Sequence, residues 1–316
     1  MEAARVYRCW RQADLAEAAG VSQSVVSQLE DDATQRSDPD LADALARALE
    51  IPVELFGQPD PAPWIDHTLQ TSLPRTAVNR MLASITLVHA HVSLLVGPTA
   101  VAVFGDSDEN AHSANAAEHL RRRWSMPAGP VKRLLPTLEA QGIVCIFRDL
   151  SPLRVPALLS TARGGQTLLF LDISATRVEL ASAIAHELGH RALNDANESD
   201  ADDFAAAFLM PGREVLDDEM LEPGMDFASE ATAWGVSPRA LARRLRQLRR
   251  ITDLQFRAVI REAKDLPPSV GRRSLLGAPS RLVDVVRSAG GSHEAASNAF
   301  LTVDQLRSDY LARSGQ

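Results

Sequence analysis

The chain has 316 residues, which is more than one average domain, and we therefore expect two or three domains. Hydrophobic residues make up 45% of it and charged residues 23%, a composition that excludes wholesale disorder. The formal net charge of -8 excludes a chain-wide attraction to nucleic acid. The two cysteines, Cys9 and Cys145, exclude a disulfide framework and a cysteine-based zinc knuckle, and they favour a reducing cytoplasm as the compartment.

The first part of the chain has the apolar spacing of short helices. Gly20 marks a tight turn between two of them, and a further helix is predicted from Asp40 to Leu49. The run from Gln12 to Glu30 resembles the helix-turn-helix of the XRE/Cro type, so we expect an XRE-type domain over residues 1–57. In such a domain the second helix of the motif reads the major groove. The side chains on its polar face are Ser22, Gln23, Ser24, Ser27 and Gln28.

The charge of this first domain leaves two interpretations open. Residues 1–57 carry five arginines against eleven acidic residues. This balance removes the attraction to phosphates on which DNA affinity largely depends. Residues 12–56 are therefore either a DNA-binding motif, with Gln23 and Gln28 bonding adenine edges, or an XRE-like fold that serves protein docking or dimerisation.

A linker and a connecting helix are predicted over residues 58–110. Three prolines and one glycine fall within residues 57–63, which is typical of a linker, and a helix is predicted over residues 66–96. The stretch from Met81 to Gly105 lacks charged residues, but Gly97-Pro98 divides it into runs that are too short to cross a bilayer. We therefore expect no membrane span, and we predict a strand-like segment at residues 101–104.

Residues 111–215 change from helical to extended and back to helical spacing. Helices are predicted over residues 112–124 and 131–141, and a short strand over residues 142–147. Residues 157–161 and 167–171 flank Arg163-Gly164-Gly165 and are typical of a β-hairpin. Helices are then predicted over residues 178–193 and 199–210. The segment therefore predicts a small sheet packed against helices.

The first of these last two helices contains the motif H-E-x-x-H. His186 and His190 are four residues apart, so they lie one above the other on one helix face, where two neutral imidazoles can bind one Zn²⁺. Glu187 is rotated away from that line and is placed to take a proton from a water at the metal. A buried or exposed helix with incidental histidines is the alternative interpretation of these five residues.

An acidic cluster at residues 198–203 follows the motif after a short loop. A zinc site needs a third protein ligand, and a carboxylate of the next helix can supply it. Glu198 and Asp202 are four residues apart, so one can bind the metal while the other accepts the N–H of a ligand histidine. The alternative is that these acids only stabilise the N-terminus of a helix.

The motif at residues 186–190, followed by E-x-x-A-D-x-F-A-A-x-F-L-M-P at residues 198–211, resembles the ImmA/IrrE family of zinc metallopeptidases. The similarity extends over roughly residues 110–250. It implies Zn²⁺ as the cofactor and Glu187 as the general base. It also implies three metal ligands, His186, His190 and Glu198, with Asp200 as the rival third ligand, which leaves Asp202 as the carboxylate that accepts the N–H of a ligand histidine. Members of the family cut one bond in a helix-turn-helix repressor, so the resemblance implies a protein substrate of that kind.

The last third of the chain is predicted to be helical. Residues 216–265 include a second helix-turn-helix candidate at 226–250, in which the turn Gly235-Val236 precedes an arginine-rich helix. Two interpretations of this helix stay open: it contacts DNA phosphates or an acidic partner, or it is a solvated basic face with Leu241, Leu245 and Leu248 packed inward. Residues 266–316 form a helical C-terminal region to which no role is assigned.

These observations predict an α+β fold that is mostly α: an all-α helix-turn-helix domain, a zincin-like domain with a small sheet, and a helical C-terminal region. The favoured function is a cytoplasmic zinc endopeptidase of a stress-response or mobile-element circuit, with a homodimer as one possible assembly. The alternatives are an XRE-family regulator whose metal site is structural, sensory or inactive, and an inactive scaffold that holds a repressor without cutting it.

Overall fold

The computed structural model describes residues 1–31, 38–57, 74–97, 104, 113–163, 166–194, 197–221, 225–262, 276–299 and 301–311. Over these residues the protein is mostly helical and contains one small sheet, which confirms the α+β, mostly α class. Two compact units are present: residues 1–100, 160–167 and 282–312 form the first, and residues 101–159, 168–281 and 313–316 form the second. The domain boundaries drawn from the sequence stay a prediction.

The helices and strands are named here in chain order. The helices before the sheet are α1 Glu2–Tyr7, α2 Gln12–Ala19, α3 Gln23–Asp31, α4 Pro39–Ala48, α5 Arg75–Val96, α6 Ser113–Arg123 and α7 Leu134–Ala140. The strands are β1 Val144–Arg148, β2 Ala157–Thr161 and β3 Thr167–Asp172. The later helices are α8 Arg177–Ala192, α9 Glu198–Leu209, α10 Gly212–Asp217, α11 Phe227–Trp234, α12 Pro238–Gln247, α13 Asp253–Glu262, α14 Arg281–Ser288, α15 Ser292–Asn298 and α16 Val303–Leu306.

Helices α1 to α4 of the first unit enclose a small apolar core. Its buried members are Ala4, Leu15, Ala16, Val26, Leu45 and Leu49. Helix α2 ends at Gly20, whose φ of 70° is the left-handed conformation that glycine adopts without strain. Arg5 binds both carboxylate oxygens of Glu30 at 2.8 and 2.7 Å, which ties α1 to the end of α3. The N-terminal helices thus have the arrangement that the sequence predicts.

Helix α5 covers most of the uncharged stretch of the sequence and carries a buried histidine. None of the helices in the described residues is both long and apolar enough to cross a bilayer. The imidazole of His89 is fully buried and contacts Ser160 Oγ at 3.0 Å and Gln166 Oε1 at 3.1 Å. Burial lowers the pKa of His89 to about 4, so the ring is neutral at pH 7. The predicted helical residues 66–73 and the predicted strand residues 101–103 lie outside the described residues.

The sheet has the strand order β1-β3-β2. The predicted hairpin strands are confirmed as β2 and β3, although residues 164–165 of its turn are outside the described residues. Strand β1 runs parallel to β3, with Val144 beside Leu168 and Arg148 beside Asp172. Strand β3 is buried along its whole length, so the sheet is part of the core against which helices pack. Strand β2 is left as an edge of the described sheet.

Candidate metal centre

Helix α8 carries the two motif histidines. It begins at a capping box in which Thr176 accepts the backbone N–H of Glu179, and Glu179 accepts the N–H of Thr176. Ile184 and Leu188 on its inner face are buried to 1% exposure or less. These contacts fix the rotation of the helix, and the face that bears the histidines therefore points towards α9.

The structure brings His186, His190 and Glu198 together. The two Nε2 atoms are 3.0 Å apart, and they lie 3.3 Å (His186) and 3.6 Å (His190) from oxygens of Glu198. Ligand atoms around a tetrahedral zinc ion are separated by about 3.3 Å, as follows from bond lengths of about 2.0–2.1 Å. Two imidazoles and one carboxylate are the ligand set of a catalytic zinc site with one open position. The donor atoms of this chain therefore fit zinc in both chemistry and spacing.

Asp202 lies behind the cluster, one helical turn after Glu198. Its Oδ1 atom is 3.0 Å from Nδ1 of His186, on the side of the ring away from Nε2. A carboxylate in this place accepts the N–H at Nδ1 and leaves Nε2 free to bind a metal. Asp200 is outside the cluster of possible ligands, and its carboxylate accepts a hydrogen bond of 2.8 Å from the amide of Asn197 at the start of α9.

Glu187 faces the edge strand of the sheet. Its Oε2 atom accepts the backbone N–H of Leu159 in β2 at 2.8 Å. The bond joins residues 28 positions apart, so the spacing of the motif alone gives no signal of it. It holds the carboxylate at the edge strand, and Glu187 is not among the three residues whose ligand atoms cluster.

Close packing of α8 on α9 sets the distance between the histidines and Glu198. A Cβ atom on Gly189 would lie 3.1 Å from both Cα and O of Ala201, and 3.2 Å from Cβ of Phe204. Ala201 and Phe204 are themselves fully buried. Only a residue without a side chain allows the two helices to approach this closely.

We expect Gly189→Ala to destabilise the fold, although alanine favours a helix over glycine by about 1 kcal/mol. The added methyl group meets backbone atoms that cannot rotate away, and overpacking of this kind costs about 1–3 kcal/mol. Urea unfolding of the metal-free protein measures the difference. Gly212→Ala is the matched control, because a Cβ there meets only side-chain atoms at 3.4 Å or more. A Gly189→Ala protein as stable as the control would contradict the role given to this contact.

Two buried arginines hold the far end of α9. Arg121 donates to the carbonyl of Phe208 at 2.8 Å, and Arg244 donates to the carbonyl of Met210 at 2.9 Å. Burial lowers the pKa of each guanidinium. Each side chain satisfies carbonyl groups that the end of a helix leaves without partners. The helix that carries Glu198 and Asp202 is thus fixed at both ends.

The burial of Arg244 limits both interpretations of the arginine-rich helix α12. Whether the basic face is solvated or binds a partner, Arg244 is not part of it, because this side chain is only 6% exposed. Its bond to the α9 carbonyl offsets the cost of burying the charge. Leu241 and Leu245 are fully buried and Leu248 partly so, as the sequence predicts.

The predicted DNA-contact residues lie together in the first unit, on α3 and on Ser22 directly before it. Ser22, Gln23, Ser24 and Gln28 are exposed and Ser27 is half-buried. Ser22 and Ser24 are joined by a hydrogen bond of 2.8 Å between their hydroxyl groups. The contact of these residues with DNA stays a prediction.

Two family models match the chain. Residues 4–56 match the model described as helix-turn-helix, and residues 138–246 match a peptidase-family model described as the IrrE N-terminal-like domain. A search of curated proteins and a search of solved structures found no significant match. The second model covers the sheet, α8, α9 and α12, and so includes all residues of the metal centre. The chain therefore combines an XRE-type helix-turn-helix domain with an IrrE-like peptidase domain, which is the domain architecture of the ImmA/IrrE family.

Proposed function

We propose that this protein is a cytoplasmic zinc-dependent endopeptidase that cleaves a helix-turn-helix transcriptional repressor and so relieves repression in a stress-response or mobile-element circuit. The observation that carries the proposal is the convergence of His186, His190 and Glu198 at ligand spacing, on the helix turn that also carries Glu187 and on the start of the next helix. The match to an IrrE-like peptidase model supports it. The repressor substrate comes from the resemblance to the family.

The chemistry divides between the metal and the side chains. A bound zinc ion would polarise the scissile carbonyl and lower the pKa of the attacking water. His186, His190 and Glu198 would hold the ion, and Asp202 would keep His186 in the tautomer that leaves Nε2 free. Glu187 would accept a proton from the water as it attacks, and then deliver that proton to the amide nitrogen that leaves. One peptide bond and one water are consumed, and one carboxyl and one amino group form.

Incubation with repressors encoded near this gene tests the proposal. The zinc-loaded protein should cut one of them at a single bond, and a chelator should abolish the cut. Intact-mass measurement of the repressor gives the site directly. If the zinc-loaded protein leaves every such repressor intact while it still binds one of them, the inactive scaffold becomes the better description.

We expect Asp202→Asn to lower zinc affinity about 10–100-fold, because the amide carries no charge with which to polarise His186. Competition with a chromophoric chelator measures the change. Asp203→Asn is the matched control: this neighbouring carboxylate accepts a hydrogen bond of 2.7 Å from Gln247 and is not among the contacts of His186. Equal zinc affinities of the two variants would remove Asp202 from the metal centre.

A second candidate function, DNA-binding regulation, is favoured by the helix-turn-helix match at residues 4–56. In this interpretation the metal site is structural, sensory or inactive. The observation against phosphate binding by this domain is that Arg5, Arg8 and Arg11 are paired with acidic side chains of the same unit. This function would be supported if the protein binds a promoter fragment with an affinity that falls steeply as the salt concentration rises, and if it shows no proteolysis.

A further inference from the structure

Three helix pairs of the described residues combine one backbone bond with one side-chain cap. In each pair a residue shortly after the first helix donates its N–H to the carbonyl five residues earlier, a bond that also closes several other helices of the structure. The three bonds run from Val21 to Ala16 at 2.9 Å, from Val236 to Ala231 at 2.9 Å and from Leu301 to Ala296 at 2.8 Å. The next residue has a hydroxyl side chain that accepts an N–H at the start of the second helix. These caps are Ser22 for α3, Ser237 for α12 and Thr302 for α16.

The same residue of each second helix is buried. Four positions after the cap lie Val26, Leu241 and Leu306, and all three side chains have no exposed surface. Within the described residues, the pair α15–α16 thus shares the backbone bond, the cap and the buried position with α2–α3 and α11–α12.

The three second helices differ in the charge that they present. Two and six residues after the cap, the side chains of all three pairs are exposed. These positions hold Ser24 and Gln28 in α3, Arg239 and Arg243 in α12, and Asp304 in α16 with Ser308 just after it. Phosphate groups are bound by cations, and helix α12 alone of the three places arginine at both positions. The basic character of α12 thus coincides with the face that a helix-turn-helix turns towards a duplex.

Helix α12 is also attached to the helix that carries the acidic residues of the metal centre. Arg244 binds the carbonyl of Met210 at the end of α9, and Gln247 binds Asp203 at 2.7 Å. These bonds join one side of α12 to α9, while arginines on its other side stay exposed. The basic surface of α12 and the acidic residues of the metal centre on α9 therefore lie on two helices that are bonded to each other.

Arg243 belongs to both surfaces. Its Nη1 atom is 3.5 Å from Oδ2 of Asp202, whose Oδ1 is 3.0 Å from Nδ1 of His186. The Arg243 side chain is half-exposed, and it is therefore within reach of a ligand in solvent as well as of Asp202. A polyanion bound along α12 would compete with Asp202 for this guanidinium.

We propose that helix α12 is a binding site for duplex DNA and that bound DNA raises the affinity of the metal centre for zinc. The second part rests on the zinc site of the proposed function. Two effects act in the same direction: phosphates bring negative charge close to a divalent cation, and Asp202, released from Arg243, polarises His186 more strongly. Because binding free energies are reciprocal, zinc raises the affinity for DNA by the same factor.

The test uses the full-length protein and a short mixed-sequence duplex. Fluorescence anisotropy over a range of salt concentrations should show salt-dependent binding that is about tenfold tighter for the zinc-loaded than for the chelated protein, since couplings of this kind commonly lie between about 5-fold and 150-fold. Competition with a chromophoric chelator, with and without saturating duplex, should give the same factor for zinc. Neither readout depends on cleavage, so the result stands apart from the outcome of the peptidase assays.

Matched variants locate the site and the coupling. Arg239→Gln and Arg243→Gln each remove one charge from the same helix face, and both should weaken DNA binding. Only Arg243→Gln should also reduce the coupling factor towards one, because Arg243 is the residue that contacts Asp202. Gln28→Ala in α3 should leave DNA affinity unchanged.

Five results would overturn the proposal. The first is no salt-dependent binding of the duplex, and the second is equal DNA affinity with and without zinc. The third is a coupling factor that is unchanged in Arg243→Gln, and the fourth is equally tight binding of polyglutamate, which would assign the face to an acidic protein. The fifth is loss of DNA binding in Gln28→Ala, which would move the DNA site to α3.

Discussion

A Glu187→Gln variant should bind zinc as tightly as the parent protein and cleave its substrate about 10²–10⁴-fold more slowly. The amide oxygen of glutamine can still accept the N–H of Leu159, so the side chain keeps its position. An amide cannot take a proton from the attacking water, and the proton transfer is therefore lost. Zinc content and the rate of repressor cleavage, measured on the same sample, separate the two properties.

Glu179→Gln serves as the control for this substitution. Glu179 lies on the same helix, and its substitution removes the same charge as Glu187→Gln. Glutamine at position 179 can still complete the capping box. Its cleavage rate should match that of the parent protein. Cleavage by Glu187→Gln at the parent rate would show that another group accepts the proton.

Removal of the Glu198 carboxylate should have the largest effect on the metal. We expect Glu198→Ala to lower zinc affinity by more than the about 10–100-fold that loss of a supporting residue costs, because one of three protein ligands disappears. Asp200→Ala should change zinc affinity only a few-fold, since this carboxylate bonds to Asn197 at the helix start. Chelator competition on both variants compares them directly.

The zinc affinities of Glu198→Ala and Asp200→Ala decide which of the two carboxylates is the third ligand. A large loss in Asp200→Ala with little change in Glu198→Ala would make Asp200 the ligand. Thermal melting of the two metal-free variants controls for damage to the start of α9, where both residues lie.

Much of the candidate site follows from helical spacing. Residues four apart share a helix face, so the pairs His186 with His190 and Glu198 with Asp202 are predictable from the sequence. The contacts between the pairs are not, because they depend on how closely α8 approaches α9. Gly189 is the cause of that close approach, and its position within the motif is the one sequence signal of it. The hydrogen bond from Leu159 to Glu187 leaves no pattern in the sequence, because it joins a strand to a helix 28 positions away.

The fold is predictable to a similar extent. Two short apolar runs that flank Arg163-Gly164-Gly165 predict the hairpin of β2 and β3. The parallel pairing of β1 with β3 is not predictable, because parallel strands are joined by long connections that leave no local pattern. The likeness of α15–α16 to α2–α3 and α11–α12 is missed for a related reason: the sequence between α15 and α16 lacks the glycine that Gly20 and Gly235 supply in the other two pairs. Thr302 followed by Gln305, a capping pair, is the signal that indicates the start of α16.

The hydrogen bonds from Arg121 and Arg244 to the last carbonyls of α9 bear on how metal would enter the site. Structural zinc domains fold only when the ion arrives, so the ion must supply the energy of ordering the chain. Here two internal cations bind the last carbonyls of the helix that carries Glu198 and Asp202. For the proposed zinc enzyme we therefore expect loading and unloading of the metal on a folded scaffold, so that the supply of zinc would set the activity without exposing the chain to degradation.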